Sequence, residues 1–315
     1  MRILTLTNMY PTVAHPAYGT FVSDQVAALR RHPRVERCDV MFVDGRTRRS
    51  NYATAFPRLT RTVAQHPVDV IYAHYGLTGA IAASQRRTPT VVIYHGGDLE
   101  TTHWQRTISR LAYRLASDNI CVSRRAMKNL PGPAHHLTCG LDLMLFAPRD
   151  RTEARSRFGV PDDEAALLFP SWPENRVKAY PRFAAVLGEL RRRGRRVREL
   201  HLTGLAREEV PTIMAAADAM VLTSVREASP VAVMEALATG LGVVATPVGD
   251  VEQMLAGAQN ARVLPFDVGA FADATEAVLA GDPPERRPDP LSLRFSDMEI
   301  TDRLVEILER ASGRD

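Results

Sequence analysis

Short, largely apolar segments that read as strands recur along the chain, each bounded by polar or proline- and glycine-containing stretches. In the first half they fall at 2–7, 39–43, 69–74, 90–94 and 119–123; in the second at 165–169, 199–204, 219–222, 242–245 and 262–264. Runs that are apolar throughout, without alternation, suit parallel strands covered on both faces. Segments with helical spacing separate them, at 53–65, 76–84, 104–116, 182–193, 210–217, 250–255, 270–279 and 300–311. Gly19, Thr20 and Phe21 open a further helix through Val22, Val26 and Leu29, after a loop at 8–17 broken by Pro11 and Pro16. Strand, crossover helix and strand in succession predict an α/β protein. The polar stretch 148–164 reads as a linker, and 281–290 as a proline-rich loop.

The most informative unit is ADAMVLTSVREASPVAVMEALATGLGVVATPVGD, residues 217–250. A buried strand leads into a polar loop that carries Arg226 and Glu227, and Pro230 then sits on the first turn of a helix that stops at Gly240. In such sheets ligands bind outside the carboxyl ends of the strands. The amides of Ser229, Pro230 (which has no N–H), Val231 and Ala232 mark the helix N-terminus, where an anion such as a diphosphate fits without a metal. Glu227 and Glu235 lie on either side of that anion, and each carboxylate accepts from hydroxyl groups. A polyol, a diphosphate and a ribose in line describe a nucleotide sugar. The turn after the first strand lacks G-x-G-x-x-G, which argues against a dinucleotide cofactor.

Composition narrows the class. With 45% hydrophobic and 24% charged residues, the 315-residue chain reads as a soluble globular protein of two domains. No apolar run approaches the ~18 residues of a membrane span, and the N-terminal strand does not read as a secretory signal. Cys38, Cys121 and Cys139 have no metal-binding or disulfide spacing, which fits a reducing cytoplasm. Lys128 and Lys178 are the only lysines among 40 basic residues, a bias expected of a GC-rich bacterial genome. Residues 1–150 hold 19 Lys/Arg against 10 Asp/Glu, whereas the remainder holds 21 against 26. That asymmetry suits an anionic acceptor or the inner face of a membrane. No helix-turn-helix or aromatic–basic module suggests nucleic acid.

The Glu-x7-Glu spacing, followed by ALATGLGVVATPVGDVEQML, resembles the donor site of the retaining glycosyltransferases of family 4. Three other strings extend the resemblance over nearly the whole chain. NMYPTVAHPAYGTFVSDQVAAL resembles the family's first loop, YHGGD its H-G motif, and CGLDLMLFAPRD the segment between its domains, with Cys139 where asparagine is usual. In PSWPENRVKAY, Lys178 matches the family's phosphate-binding lysine, Pro173 stands where an arginine is usual, and only Arg176 is nearby. Ala228 replaces the glycine that normally follows the first glutamate, and is strained if that position needs positive φ.

The resemblance implies a GT-B fold: two Rossmann-like domains facing across a cleft, an acceptor domain at 1–147 and a donor domain at 148–297. Helix 298–315 would pack back on the first. It also implies transfer, with retention, from a nucleotide diphosphate sugar (a UDP-sugar favoured) to a hydroxyl acceptor. Glu235 would hold the ribose and Glu227 the sugar hydroxyls. Lys178, Arg176 and the helix amides would take the leaving diphosphate, with Gly204 allowing close approach of the nucleotide. His95 and Gly19 would complete the sugar pocket, and Thr20, Phe21, His74, Tyr75 and Asp98 would line the acceptor side. No metal or other cofactor is expected. A nucleotide-sugar epimerase or hydrolase of the same fold, and a nucleotide-binding subunit without activity, remain as alternatives.

Overall fold

The computed structural model describes residues 1–16, 18–283 and 285–314. Ala17, Pro284 and Asp315, which close or interrupt segments expected above, lie outside the described residues. The chain divides into two compact units, Met1–Gly140 with Asp297–Asp315, and Leu141–Ser296. The division falls at 140/141, where the segment expected to join the domains begins, rather than at 147/148.

The first unit holds a six-stranded parallel sheet: β1 (Arg2–Thr7), β2 (Arg37–Phe42), β3 (Val70–His74), β4 (Thr90–Tyr94), β5 (Asp118–Cys121) and β6 (His135–His136). Their order is β2-β1-β3-β4-β5-β6. The two-residue β6 has no signal in the sequence: it is too short for periodicity and exists only because its backbone pairs with Ile120 and Cys121. Leu4, Leu6, Ile71, Ala73, Val92 and Tyr94 form one core layer. The helix Asp297–Ser312 packs on β3, β4 and the helix Thr20–Arg31. Its acidic residues meet arginines of the N-terminal stretch, Arg31 with Asp297 at 2.8 Å and Arg34 with Glu309 at 2.6 Å. Part of the basic excess read from residues 1–150 is therefore compensated within the fold.

The second unit holds β7 (Ala165–Phe169), β8 (Val197–His201), β9 (Ala219–Leu222), β10 (Val243–Ala245) and β11 (Ala261–Val263). The order is β11-β10-β9-β7-β8, again wholly parallel. Along β9, Met220 and Leu222 enter one core layer, whereas Ala219 and Val221 enter the other. That two-sided burial is why the strand is apolar at every position. Both sheets share one ordering: the first strand of each unit lies between its second and third. Chain direction across the sheet reverses there, which leaves a crevice at the carboxyl ends of β1 and β3, and of β7 and β9.

The segment expected as a linker contains a helix, Arg151–Arg157, capped by the Asp150 carboxylate accepting from the Glu153 amide at 2.7 Å. It escaped the pattern because its buried face is held by charge rather than by apolar spacing. Arg155 donates to Asp218 at 3.1 Å, and Asp218 also accepts from the Ala166 amide at 2.6 Å. Both side chains are under 10% exposed. Removing one partner of a buried pair strands the other charge, at a cost of about 3–5 kcal/mol. Asp218→Ala is therefore expected to lower the stability of the second unit by that order, measured by urea unfolding, and a change under about 1 kcal/mol would show that Arg155 finds water instead.

Candidate functional site

In the second unit the site is built at the crevice between β7 and β9. The loop after β7 brings Lys178 to the loop after β9, where its Nζ lies 2.6 Å from Glu227 Oε1. Ser224 Oγ donates to the same carboxylate oxygen at 2.7 Å. Main-chain bonds fix the two loops to each other: the Val225 amide donates to the Val177 carbonyl at 2.9 Å, and Thr223 Oγ1 to that of Lys178 at 3.1 Å. Ala179, next to Lys178, is held at φ 54°, a left-handed backbone that a non-glycine residue adopts only when its surroundings impose it. Lys178 and Glu227 therefore form one preorganised unit.

Beside it lies the N-terminus of the helix Val231–Thr239. Pro230 is the cap residue rather than the first helical residue, and no side chain caps the turn. The amides of Val231 and Ala232 have no carbonyl behind them within the helix and carry its positive pole. The Ser229 hydroxyl turns away, toward Met254 Sδ at 3.6 Å. Gly249 locks this loop from behind. Its φ is +56°, and a Cβ there would lie 2.2 Å from the Ala228 carbonyl oxygen. The Asp250 amide donates to that oxygen at 2.8 Å. Ala228 itself is not at positive φ, so replacing the usual glycine produces no strain. Arg176 is exposed and has no ion pair among the described residues. Gly204 lies beyond the end of β8, at φ +70° and in open space.

Glu235, one turn into the helix, is buried and pairs with Arg207. The Arg207 guanidinium also lies over the Phe146 ring, 4.5 Å from its centroid. Sequence reading passed over Arg207. The available signal was indirect: a glutamate inside VAVMEALAT must be buried, and a buried carboxylate needs a cation. The partner comes from the segment after β8, 28 residues earlier, so no local pattern identifies it.

In the first unit a cluster of rings stands at the carboxyl ends of β3 and β4. His74 is fully buried and its Nδ1 lies 3.1 Å from His95 Nε2. The two imidazoles are nearly parallel, 9° apart. Phe21 and Tyr75 hold His95 from further sides, with ring centroids at 4.9 and 4.7 Å. Tyr75 is at φ 72°. Burial lowers both histidine pKa values, that of His95 to about 3, so both rings are neutral near pH 7. Asp98, expected to orient an acceptor or the histidine, accepts from the main-chain amides of Gly76 at 2.9 Å and His95 at 3.2 Å. It touches the backbone of the histidine, not its ring. Burial pushes its carboxyl up to about 6 in spite of those amides. Gly19 is at φ +76°, where a Cβ would lie 2.6 Å from the Met9 carbonyl carbon. Thr20 opens the helix that brings Phe21 to the cluster.

Residues 10–132 match the model of Glycosyltransferase Family 4, and residues 167–281 that of Glycosyl transferases group 1. The chain is 26% identical to a D-inositol 3-phosphate glycosyltransferase of a Nocardioides species, over 70% of this chain and 62% of that protein. It thus spans about three fifths of the length of that relative. Among solved structures, sucrose-phosphate synthase of Thermosynechococcus elongatus superposes with a TM-score of 0.81 at 15% identity, over 100% of both chains. Anabaena HepE, solved in complex with UDP, gives 0.74 at 18% identity, over 98% of this chain and 100% of that one. At those identities the structural likeness carries the fold alone. With both halves matched by family models and two parallel-sheet units of shared order, the chain belongs to glycosyltransferase family 4 and has the GT-B fold.

Proposed function

We propose that the protein is a retaining glycosyltransferase that moves a hexose or N-acetylhexosamine from a nucleotide diphosphate sugar, a UDP-sugar, to a hydroxyl acceptor. The observation that carries this reading is the uncapped N-terminus at Val231 and Ala232 beside the Lys178–Glu227 pair. A diphosphate on those amides meets the positive pole of the helix, and Lys178 supplies the point charge for the leaving group. Glu227, already accepting from Ser224 and Lys178, is placed to accept from sugar hydroxyls as well. Glu235 takes the ribose, with Arg207 holding its carboxylate. The family resemblance assigns His95 and Gly19 of the first unit to the same sugar. Charge on the phosphates is met by Lys178 and main-chain amides, so the reaction is proposed to run without a metal. HepE, crystallised with UDP, supports the choice of base.

A second observation bears on the acceptor. The helix His103–Leu115 has no acidic residue and exposes Trp104, Arg110, Leu111 and Arg114. Trp104 and Leu111, about half exposed, are seven positions apart and so share a face. An aromatic and an aliphatic group on one helix face, flanked by Arg110 and Arg114, suit an anionic membrane surface. We place the acceptor, or the working position of the enzyme, at such a surface.

Three measurements follow. In a thermal-shift screen of UDP, GDP, ADP and TDP, UDP is expected to stabilise the protein equally with and without EDTA, because only the folded state binds it. Lys178→Ala should lose that shift and about a hundredfold or more in kcat, unrestored by divalent metal; no response to any diphosphate by the folded protein would overturn the donor-site reading, and a UDP shift without turnover would favour the non-catalytic subunit. Product analysis without acceptor separates an epimerase or hydrolase. Second, Asp98 holds the His95 and Gly76 amides as a carboxylate, so kcat/KM should fall as pH drops through about 6, and Asp98→Asn should flatten that limb. An unchanged limb in that variant would assign it to another group. Third, the protein should sediment with phosphatidylglycerol vesicles at low salt and not with phosphatidylcholine, and Trp104→Ala with Arg110→Glu should abolish sedimentation. Equal binding to both lipids would remove the membrane reading.

A further inference from the structure

The two histidines at the ends of β3 and β4 share one proton contact, and its direction can be deduced. Both rings are neutral, so each carries a single N–H. Within the 3.1 Å contact one ring donates and the other accepts. His74 Nε2 is sealed from solvent and has no partner. Were His95 the donor, the His74 proton would sit on that sealed nitrogen, an N–H buried with no acceptor. Such a group costs about 1–3 kcal/mol and is rare in folded proteins. With His74 donating from Nδ1, the sealed atom is only a lone pair. His95 Nε2 then accepts, and the proton of His95 resides on Nδ1. His95 is only partly buried, and its Nδ1 is not among the sealed, unpartnered atoms. Among the described residues no carboxylate bonds to the ring, since Asp98 reaches the His95 main chain alone. Phe21 and Tyr75 fix the ring plane, so the tautomer also fixes where the N–H points.

We infer that His74 is a positioning residue that sets the tautomer of His95, so that His95 meets its ligand as an Nδ1–H donor to an oxygen atom and not as a base. The role of that donor toward a sugar hydroxyl rests on the function proposed above, whereas the tautomer itself does not.

The test is a long-range proton–nitrogen correlation spectrum of the full chain labelled with 15N-histidine, near pH 7.5 and without nucleotide. His95→Gln identifies its signals by their loss. The expected pattern for His95 is a protonated Nδ1 and an unprotonated Nε2. His74→Leu removes the donor and should move His95 toward the Nε2–H form. His74→Asn, whose amide N–H takes the approximate place of Nδ1, should restore the original pattern. In turnover assays His74→Leu should lower kcat about tenfold or more, and His74→Asn should recover most of it. A wild-type His95 protonated at Nε2, or a tautomer indifferent to His74→Leu, overturns the inference whether or not sugar transfer is found. The expected tautomers in a protein that transfers no sugar would leave the inference standing and refute the proposed function instead.

Discussion

Parallel strands that are neighbours in a sheet but not in the chain leave their carboxyl ends uncovered, and the donor site proposed for this protein stands on one such place, between β7 and β9. In the second unit, β8 is displaced to the sheet edge and β7 pairs directly with β9. The loops that leave β7 and β9 must therefore rise side by side. Their main chains bond to each other, and only because of that do Lys178 and Glu227 meet at 2.6 Å although 49 positions separate them. A cation and a carboxylate fixed in this way require no reorganisation when charge develops nearby, and this is the condition under which electrostatic stabilisation of a leaving group is effective.

Two of the buried charge pairs in the second unit tie distant segments together. Glu235 pairs with Arg207, Asp218 with Arg155, and each pair joins segments far apart in sequence. Neither pair is an argument for stability in itself, since desolvation offsets much of the attraction. What they provide is placement. Arg155 and Asp218 seat the helix Arg151–Arg157 against the Ala166 amide of β7, and Arg207 holds Glu235 one turn below the helix N-terminus. The first unit solves its problem differently. Its ring cluster contains two neutral imidazoles, and burial rather than a counter-ion sets their protonation. A neutral pair can be ordered by a single hydrogen bond, which makes a tautomer structurally determined.

Much of this was legible in the sequence. Two-sided burial writes itself as largely apolar runs, so β3, β4, β7, β9 and β10 could be read directly, and with them the loops that carry Lys178, Glu227, His74 and His95. The helix N-terminus at Pro230 could be read because proline and glycine have few places to go. Strand β6 and the helix Arg151–Arg157 could not, because one is created by pairing and the other is buried by charge. Arg207 was invisible for the same reason: ion pairs across 28 positions leave no period.

The sequence by itself determined the α/β class, the strand-loop-helix unit around Glu227 and Glu235, and the residue types available for an anionic, polyhydroxylated ligand. Local spacing fixes these, because periodicity, capping and turn chemistry act over a few residues. Only the tertiary structure decided which charges meet. It set Lys178 on Glu227 and Arg207 on Glu235, left Arg176 exposed, relieved Ala228 of strain, and turned Asp98 to the main chain of His95. Partner choice among charged and polar groups depends on strand order and on burial, and neither is encoded in the neighbourhood of any single residue.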